Sequence, residues 1–193
     1  MQVLVLHAHP VEDSFNAGLH QLVVDRLTAR GHAVDACDLY AEGFDPVLSR
    51  QERLDYHDVG VNRAHVEEHV ARLKRAQALV LVFPVWNYGF PAILKGYFDR
   101  VFLPGVSFDL VDGTVQPSLR NIRRLCAVTS YGGTRFRTII MGDPPRKLVS
   151  RWLRATVHPL AKLDYLALYD MNNTTDAGRE AFKAKVAARL DRF

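Results

Sequence analysis

Short apolar runs alternate with segments of helical periodicity along the whole chain. The clearest run, residues 79–83, holds five apolar side chains without a polar break, which is typical of a strand buried on both faces of a parallel sheet. Residues 15–30 instead place their apolar side chains along one side of a helix, which Gly31 closes. The pattern predicts strands at residues 2–8, 32–39, 78–83, 122–129 and 163–169, and further helices at residues 63–76, 146–157 and 176–192 and directly after Pro91.

The alternation of strands and helices runs from end to end. We therefore expect one domain over residues 1–193, built as a doubly wound, mostly parallel five-stranded sheet with helices on both faces. Pro84 is expected to stop the third strand, and Pro91 suits the first turn of the next helix. Three segments lie outside these elements: the polar residues 40–62 with a short helix after Ser49, residues 104–119 as a loop or small hairpin turning at Asp112 and Gly113, and the loop of residues 130–145.

Composition and charge narrow the functional classes. The chain has 193 residues, 48% of them apolar, and a net charge of +4 without a long basic run, so we expect no nucleic-acid groove but a mild preference for anionic small ligands. No stretch approaches about 18 apolar residues and no signal-like segment precedes the first strand, which predicts a cytoplasmic protein without a membrane span. Cys37 and Cys126 lie in or beside apolar stretches and are expected to be buried free thiols.

Loops that follow the carboxyl ends of parallel strands meet at one edge of an open sheet, where such proteins bind ligands. The first of these loops, residues 7–16, leads into a predicted helix whose free backbone N–H groups and dipole suit a phosphate. His9, Ser14 and Asn16 can add side-chain donors. The alternative interpretation is that Asp13 or Ser14 only caps the helix, and the sequence leaves both interpretations open.

Two other kinds of site at this loop are not favoured. A metal site at His7 and His9 would need a third ligand that the sequence does not identify, so we expect none. The glycine-rich fingerprints of dinucleotide-binding folds and P-loops are both absent. Any phosphate bound here is therefore held by a different kind of loop.

Two further loops carry groups that suit a planar ring. Residues 86–89, Trp-Asn-Tyr-Gly, follow the third strand, and their aromatic edges and backbone amides can hold the rim of a flat heterocycle. Gly132 and Gly133 follow the fourth strand, where consecutive N–H groups can bind a carbonyl oxygen or an anionic ring nitrogen. Ordinary aromatic packing and a plain turn are the alternatives for each loop alone. Together, the three loops indicate a phosphate end and two polar clamps on a planar ring.

These loops resemble those of the flavodoxin-like NAD(P)H:quinone oxidoreductases, the DT-diaphorase-like family. The resemblance runs from Val3 to about Tyr169, and its most specific part is the segment Phe-Pro-Ala-Ile-Leu-Lys-Gly at residues 90–96. The other shared pieces are His9-Pro10, Ser14-Phe15-Asn16, Asp38-Leu39-Tyr40, Asp45-Pro46, Ser49-Arg50, Phe83-Pro84, and Thr129 with Gly132-Gly133.

The resemblance implies a flavodoxin-like fold, a tightly bound FAD or FMN, NAD(P)H as co-substrate, and a homodimer with its active site at the subunit interface. Donors near the N1/O2 edge of the flavin stabilise its reduced anion and so raise its affinity for a hydride. By this analogy the phosphate lies among His9, Ser14, Phe15 and Asn16, the ring lies against Pro84, Val85, Trp86, Asn87 and Tyr88, and Thr129, Gly132 and Gly133 hold the N1/O2 edge.

The chain also departs from mammalian-type members of that family. Residues 86–88 read Trp-Asn-Tyr where those members have Gln-Trp-Phe, and one more residue precedes the paired glycines. The Tyr and His that those members place over the flavin have no counterpart in residues 135–145, so that acid–base pair cannot be transferred. Tyr131 and Tyr88 are the candidate catalytic proton donors here, with water as the alternative, and Tyr131 or Arg135 is a candidate for orienting the substrate.

The expected activity is a ping-pong transfer of two electrons from NAD(P)H through the flavin to a quinone-like acceptor. The alternatives are an azo-compound, nitro-compound or FMN reductase of the same fold, a flavodoxin-type electron carrier, and a regulatory subunit of an ion-efflux system. Electron carriers of that type are usually acidic with a Thr-rich phosphate loop, unlike this chain. The choices between FAD and FMN and between NADH and NADPH stay open, although Arg135, Arg137 and Arg146 suit a 2′-phosphate.

Overall fold

The computed structural model describes all of residues 1–193. Its main sheet contains five strands, β1 (Gln2–His7), β2 (Ala33–Asp38), β3 (Ala78–Val85), β6 (Arg124–Tyr131) and β7 (Lys162–Leu168). All neighbouring pairs are parallel, and the spatial order is β2-β1-β3-β6-β7. This order confirms the predicted flavodoxin-like, doubly wound fold.

The helices connect these strands and cover both faces of the sheet. A π-helical segment, Leu148–Leu153, joins two short helices into one continuous stretch before β7. The helices are α1 (Phe15–Ala29), α2 (Arg50–Asp55), α3 (Glu67–Arg75), α4 (Ala92–Val101), α5 (Arg135–Ile140), α6 (Pro144–Lys147), α7 (Arg154–Thr156) and α8 (Asp176–Leu190), with a 3₁₀ turn at Met171–Asn173.

The core is divided in two by the sheet. On one face, α1 and α8 bury Leu19, Val23, Phe182 and Val186 against the strands. On the other face a larger cluster forms between the sheet and α3, α4 and the π-helical segment. Because both faces are covered, the central strand β3 is apolar along its length, as residues 79–83 predict.

One strand boundary differs from the prediction. Pro84 does not stop β3, because β3 continues to Val85 and pairs with β6 as far as Tyr131. The Val82 carbonyl accepts a hydrogen bond from the Ala8 N–H at 3.1 Å, and β1 pairs with β3 only as far as Val82. Peptide groups alternate in direction along a strand, so the N–H that Pro84 lacks would face the side that β1 has already left. The proline is tolerated because no hydrogen bond of the sheet is lost there.

The predicted helices are mostly present, with two corrections. The helix expected at residues 63–76 begins only at Glu67, since turns occupy the residues before it. The loop expected at residues 130–145 contains the short helix α5, whose first turn is capped when the Thr134 hydroxyl accepts a hydrogen bond from the Arg137 N–H. The predicted hairpin is confirmed as β4 (Phe108–Val111) and β5 (Thr114–Pro117), with Asp112 and Gly113 at φ values of 50° and 73° in the turn.

Two other expectations are confirmed by the structure. Cys37 and Cys126 are buried free thiols, and burial raises the pKa of both well above the ordinary value. No helix is both long enough and apolar enough to cross a membrane.

Candidate functional site

A cleft of about 350 Å³ opens where the loops after β1, β3, β6 and β7 meet. This volume falls within the range of small-ligand sites, about 300–1,000 Å³. No carboxylate lines the cleft, which suits an anionic ligand. Its lining residues are His9, Ser14, Phe15, Asn16, Pro84, Val85, Trp86, Ser130, Gly132, Met171 and Asn172.

The start of α1 forms one end of this cleft. The Ser14 hydroxyl accepts a hydrogen bond from the Ala17 N–H at 3.1 Å, so the capping role proposed for this residue is confirmed. The backbone N–H groups of Phe15 and Asn16 make no hydrogen bond within the chain. Asn16 is only 3% exposed, yet neither its amide nitrogen nor its amide oxygen has a partner. Buried polar groups rarely stay unpaired, so this end of the cleft has the donors that an anionic ligand would satisfy.

His9 stands beside the same end. His9 Nδ1 lies 3.1 Å from the Val11 backbone nitrogen and 3.2 Å from the Val11 carbonyl oxygen, so this side of the ring is engaged by the loop itself. The imidazole also lies 5.7 Å from the ring of Trp86, measured between centroids. His9 thus connects the loop after β1 with the aromatic loop after β3.

The aromatic loop is a tight two-residue turn. Trp86 and Gly89 exchange backbone hydrogen bonds of 3.3 Å and 2.8 Å, with Asn87 and Tyr88 between them. Asn87 and Tyr88 have φ values of 49° and 56°, which is the geometry of a type I′ turn without glycine at either central position. The left-handed backbone therefore falls on Asn87 and Tyr88, while a Cβ on Gly89 would lie 3.6 Å from the Trp86 carbonyl oxygen, an ordinary contact distance. A bulky residue in this region is strained, and such strain is common at binding sites.

The glycine loop after β6 lies close to that turn. The N–H groups of Gly132 and Gly133 make no hydrogen bond within the chain. A Cβ placed on Gly133 would lie 3.4 Å from the Tyr88 hydroxyl, so the two loops approach each other across the mouth of the cleft. The Asp170 N–H donates to the Gly133 carbonyl at 3.0 Å and attaches the segment after β7 to this loop.

Some predicted residues do not line the cleft. Asn87, Tyr88 and Gly133 lie at its edge, in the two loops just described. Thr129 is fully buried, and its hydroxyl has no hydrogen-bond partner. The structure therefore brings the phosphate-end residues together with the aromatic turn, and it places Thr129 behind the surface of the cleft.

Tyr131 belongs to a separate group of side chains, the tyrosine cluster, and the structure does not bring it to the cleft. It is 1% exposed, and its hydroxyl contacts a carboxylate oxygen of Asp143 at 2.7 Å and the Tyr165 hydroxyl at 2.5 Å. Burial, then the neighbouring Tyr165 and Asp143, raises the pKa of Tyr131 well above its ordinary value. Besides Tyr131, the tyrosine cluster comprises Asp143, Arg146, Tyr165 and Tyr169.

Three lining residues were not predicted. Ser130 belongs to β6, and Met171 and Asn172 belong to the 3₁₀ turn that follows β7. The rule that points to the loops after β1, β3 and β6 applies equally to the loop after the fifth strand. That loop lacks glycines and paired aromatics, so its composition gave no separate signal.

The histidines of the first loop pair differently from the sequence-based hypothesis. His7 Nδ1 lies 2.9 Å from an Asp38 carboxylate oxygen, and its ring stacks on that of His20 at 4.5 Å. One potential ligand atom from each of these three residues lies within 4.8 Å of the others. His9 is not part of this group. Burial, followed by the nearby His7, lowers the pKa of His20 to about 4.

A larger cavity of about 570 Å³ lies elsewhere, beside α4 and the π-helical segment. Aromatic side chains such as Phe98, Phe102 and Trp152 line it. It contains none of the predicted site residues. The smaller cleft is the better candidate because free polar groups converge there.

Comparison with known proteins gives consistent results. The chain is 33% identical over 108 residues to an uncharacterized NAD(P)H oxidoreductase, YcaK, of Escherichia coli, covering 55% of each chain. A solved NAD(P)H:quinone oxidoreductase from Methanothermobacter marburgensis has a TM-score of 0.84 and 26% identity over 99% of this chain and 98% of that one. An FMN-dependent NADH-azoreductase of Bacillus anthracis, solved with FMN, shares the fold at a TM-score of 0.80 and 15% identity, over 99% and 98% of the two chains.

The family assignment covers almost the whole chain. The matches to curated relatives span 47% to 64% of the length of those relatives. The sequence family described as having a flavodoxin-like fold, in contrast, matches residues 1–191. With the sheet order and the site at its carboxyl edge, this match shows that the chain belongs to the flavodoxin-like fold family.

Proposed function

We propose that the chain is a flavin-dependent NAD(P)H:quinone oxidoreductase. The observation that carries this proposal is the buried, unpaired amide of Asn16 beside the free N–H groups of Phe15 and Asn16. These donors and the nearby aromatic turn fit a ligand with a phosphate at one end and a planar ring at the other. The names of the similar proteins, which refer to NAD(P)H oxidation and quinone reduction, support the choice of substrates.

At the phosphate end, the chain supplies several hydrogen-bond donors. The N–H groups of Phe15 and Asn16, the Asn16 amide nitrogen and the His9 ring would hold the phosphate, while the Ser14 hydroxyl could donate its proton to the phosphate as it caps α1. The dipole of α1 favours the negative charge at this position. A bound FAD or FMN supplies the redox chemistry, accepting a hydride from NAD(P)H and passing two electrons to the acceptor.

At the ring end, the chain orients the ring and stabilises developing charge. Pro84, Val85 and Trp86 provide an apolar surface, and Asn87 shapes the turn at its edge. The Gly132 and Gly133 N–H groups, which make no hydrogen bond within the chain, would hold the N1/O2 edge, and the unpaired hydroxyl of Thr129 lies just behind them in β6. With one cleft to serve both substrates, nicotinamide and quinone would bind beside the ring in turn, as a ping-pong order requires.

Of the two candidate catalytic tyrosines, Tyr88 is the better proton donor to the acceptor. It is half-buried and lies at the edge of the cleft, near Gly133. The Tyr131 hydroxyl is engaged by Asp143 and Tyr165, so this residue acts as a support for the glycine loop. Arg135 is exposed at the start of α5 and does not line the cleft, so it is not among the proposed contacts with the acceptor.

The functional unit in this proposal is a homodimer. The hairpin formed by β4 and β5 is a separate two-stranded sheet, which is marginal on its own, and it exposes Leu110 and Val115 by 55% and 62%. Packing of this hairpin against a second copy would bury these residues. Sedimentation equilibrium tests this directly: a dimer is expected for the wild type, and Val115→Lys shifts it towards monomer.

The activity is tested by an anaerobic absorbance titration. The purified protein is reconstituted with FMN or FAD, titrated with NADPH or NADH, and then mixed with menadione. Full bleaching of the flavin by a nucleotide, followed by recovery with menadione, is the expected result. If no flavin binds, or if neither nucleotide reduces it, the proposal fails. An electron carrier would instead accumulate a one-electron-reduced species on photoreduction, and recovery with an azo dye but not with menadione would indicate an azoreductase.

A further inference from the structure

A second recess, the basic recess, lies next to the cleft and takes no part in the proposed flavin contacts. It has a volume of about 510 Å³, and its polar lining consists of Arg135, Asp143, Arg146, Lys147 and Tyr169. Three of these side chains are cationic and one is acidic. The recess therefore carries an excess of positive charge.

The Arg146 side chain is held in place from several sides. Its Nε donates to an Asp143 carboxylate oxygen at 2.9 Å, and a terminal nitrogen donates to the Tyr169 hydroxyl at 2.9 Å. The guanidinium also lies 4.3 Å from the centre of the Tyr165 ring. A cation fixed in this way loses little conformational freedom when it binds an anion.

Asp143 does not neutralise the other two cations. One carboxylate oxygen contacts Tyr131 and the other accepts from Arg146, so both oxygens are already engaged. Arg135 and Lys147 form no ion pair within the chain, and the Lys147 ammonium lies over Gly142, 3.3 Å from the position of an added Cβ. Two cations are therefore left for a ligand that carries about two negative charges.

The basic recess and the cleft share a boundary. Arg135 lies two residues beyond Gly133, and Tyr169 directly precedes Asp170, whose N–H donates to the Gly133 carbonyl. Met171 and Asn172, which follow Asp170, line the cleft. One extended ligand can thus reach the cleft with one end and the recess with the other.

We propose that the basic recess binds the 2′-phosphate of NADPH and makes NADPH the preferred reductant. This inference rests on the proposed function, because it assigns the far end of the nucleotide that reduces the bound flavin. A phosphate monoester carries about −1.5 to −2 charges at pH 7 and three acceptor oxygens, which match a fixed guanidinium and two mobile cations. The 2′-hydroxyl of NADH offers no such charge. Arg137, which the sequence also suggested for this role, does not line the recess, and Lys147 takes its place.

Steady-state and stopped-flow kinetics of the flavin-loaded protein test this assignment. The variants Arg135→Gln and Lys147→Gln each remove one cation that makes no ion pair within the chain. Arg137→Gln is the matched control, since it removes an equally exposed cation of α5 outside the recess. We expect the wild type to favour NADPH, and each recess variant to raise KM for NADPH about 10- to 100-fold while leaving kcat and the NADH kinetics unchanged. The control keeps the wild-type ratio.

Three outcomes overturn the inference. The first is equal use of both nucleotides by the wild type. The second is an equal loss for NADPH and NADH in the recess variants, which would assign the recess to the shared pyrophosphate. The third is the same loss in Arg137→Gln.

Calorimetry with 2′,5′-ADP separates failure of this inference from failure of the proposed function, because it needs no flavin reduction. Binding of 2′,5′-ADP that exceeds that of 5′-AMP and of inorganic phosphate, and that Arg135→Gln weakens, supports the recess even if neither nucleotide reduces the flavin. Equal binding of inorganic phosphate would make it a general anion site and overturn the inference.

Discussion

The cleft and the tyrosine cluster lie side by side in the fold, but they treat their polar groups in opposite ways. In the cleft, Asn16 is buried with both amide atoms unpaired, and the backbone of Tyr88 at the edge of the cleft has a φ of 56°. In the tyrosine cluster, the Tyr131 hydroxyl and both oxygens of Asp143 have partners. Unpaired buried polar groups cost stability, and of the buried groups without a partner only the Asn16 amide lines the cleft. Left-handed backbone occurs in both regions, since Asp143 has a φ of 46°. The difference separates an open set of polar groups at the cleft from a closed hydrogen-bond network around the Tyr131 hydroxyl.

The largest expected effect is at Asn16, whose buried amide has no hydrogen-bond partner. Asn16→Ala removes a donor and an acceptor that no other part of the chain uses, so flavin affinity should fall about 10- to 100-fold. The flavin-free protein should lose little stability, because no internal hydrogen bond disappears. Asn173→Ala is the matched control, since Asn173 is exposed beside the same cleft and bonds only Asp170. Fluorescence titration with FMN and FAD measures the affinity, and equal losses in both variants would contradict the assignment.

The opposite result is expected in the tyrosine cluster. Tyr131→Phe leaves Asp143 and Tyr165 each without one hydrogen-bond partner, which should lower the free energy of unfolding by about 1 to 2 kcal/mol. Flavin affinity should stay close to that of the wild type. Urea unfolding measures the change, with Tyr40→Phe as the control because Tyr40 is exposed and its hydroxyl forms no hydrogen bond within the chain. A loss of quinone reduction without a loss of stability would instead return Tyr131 to the role of proton donor.

A smaller effect concerns the strained turn. Tyr88→Gly and Tyr88→Ala both remove the ring, but only glycine is at ease at positive φ, so the glycine variant should be more stable by roughly 1 kcal/mol. Both should lose quinone reduction. The same pair at Phe136, which lies in α5, should show the reverse order, because alanine favours a helix over glycine by about 1 kcal/mol. Thermal unfolding of the four variants decides whether the backbone at Tyr88 is strained.

The sequence predicted the strands and the helix that position the site better than it predicted the side-chain contacts within the site. Apolar runs and the Ser14 cap placed five strands and α1 close to their true positions, since burial and capping leave periodic, local signals. The prediction that Pro84 ends β3 is wrong, because a proline is tolerated there once the neighbouring strand β1 has ended. No local pattern reports such a pairing.

Side-chain partners are harder still to predict when they are distant in the chain. Tyr131 looked like a member of the glycine loop, but β6 extends two residues further than expected, and the ring turns into the cluster with Tyr165 and Asp143. Motifs selected Asn16 correctly for the cleft. Its unpaired state, however, depends on everything packed around it, and the sequence contains no record of that packing.

The smallest expected effect is the contribution of the tyrosine cluster to the pH dependence of stability. Burial raises the folded-state pKa of Tyr131 and Tyr165 above the ordinary value of 10. The unfolded chain therefore loses these protons first, so their contribution to stability is fully present below pH 10 and declines as the pH rises above it. At about pH 10.5 the extra loss should amount to about 0.8 kcal/mol per tyrosine. Urea unfolding of the wild type and Tyr131→Phe between pH 8 and pH 10.5 should show a shallower decline in the variant, whereas parallel curves would mean that the Tyr131 hydroxyl is open to solvent.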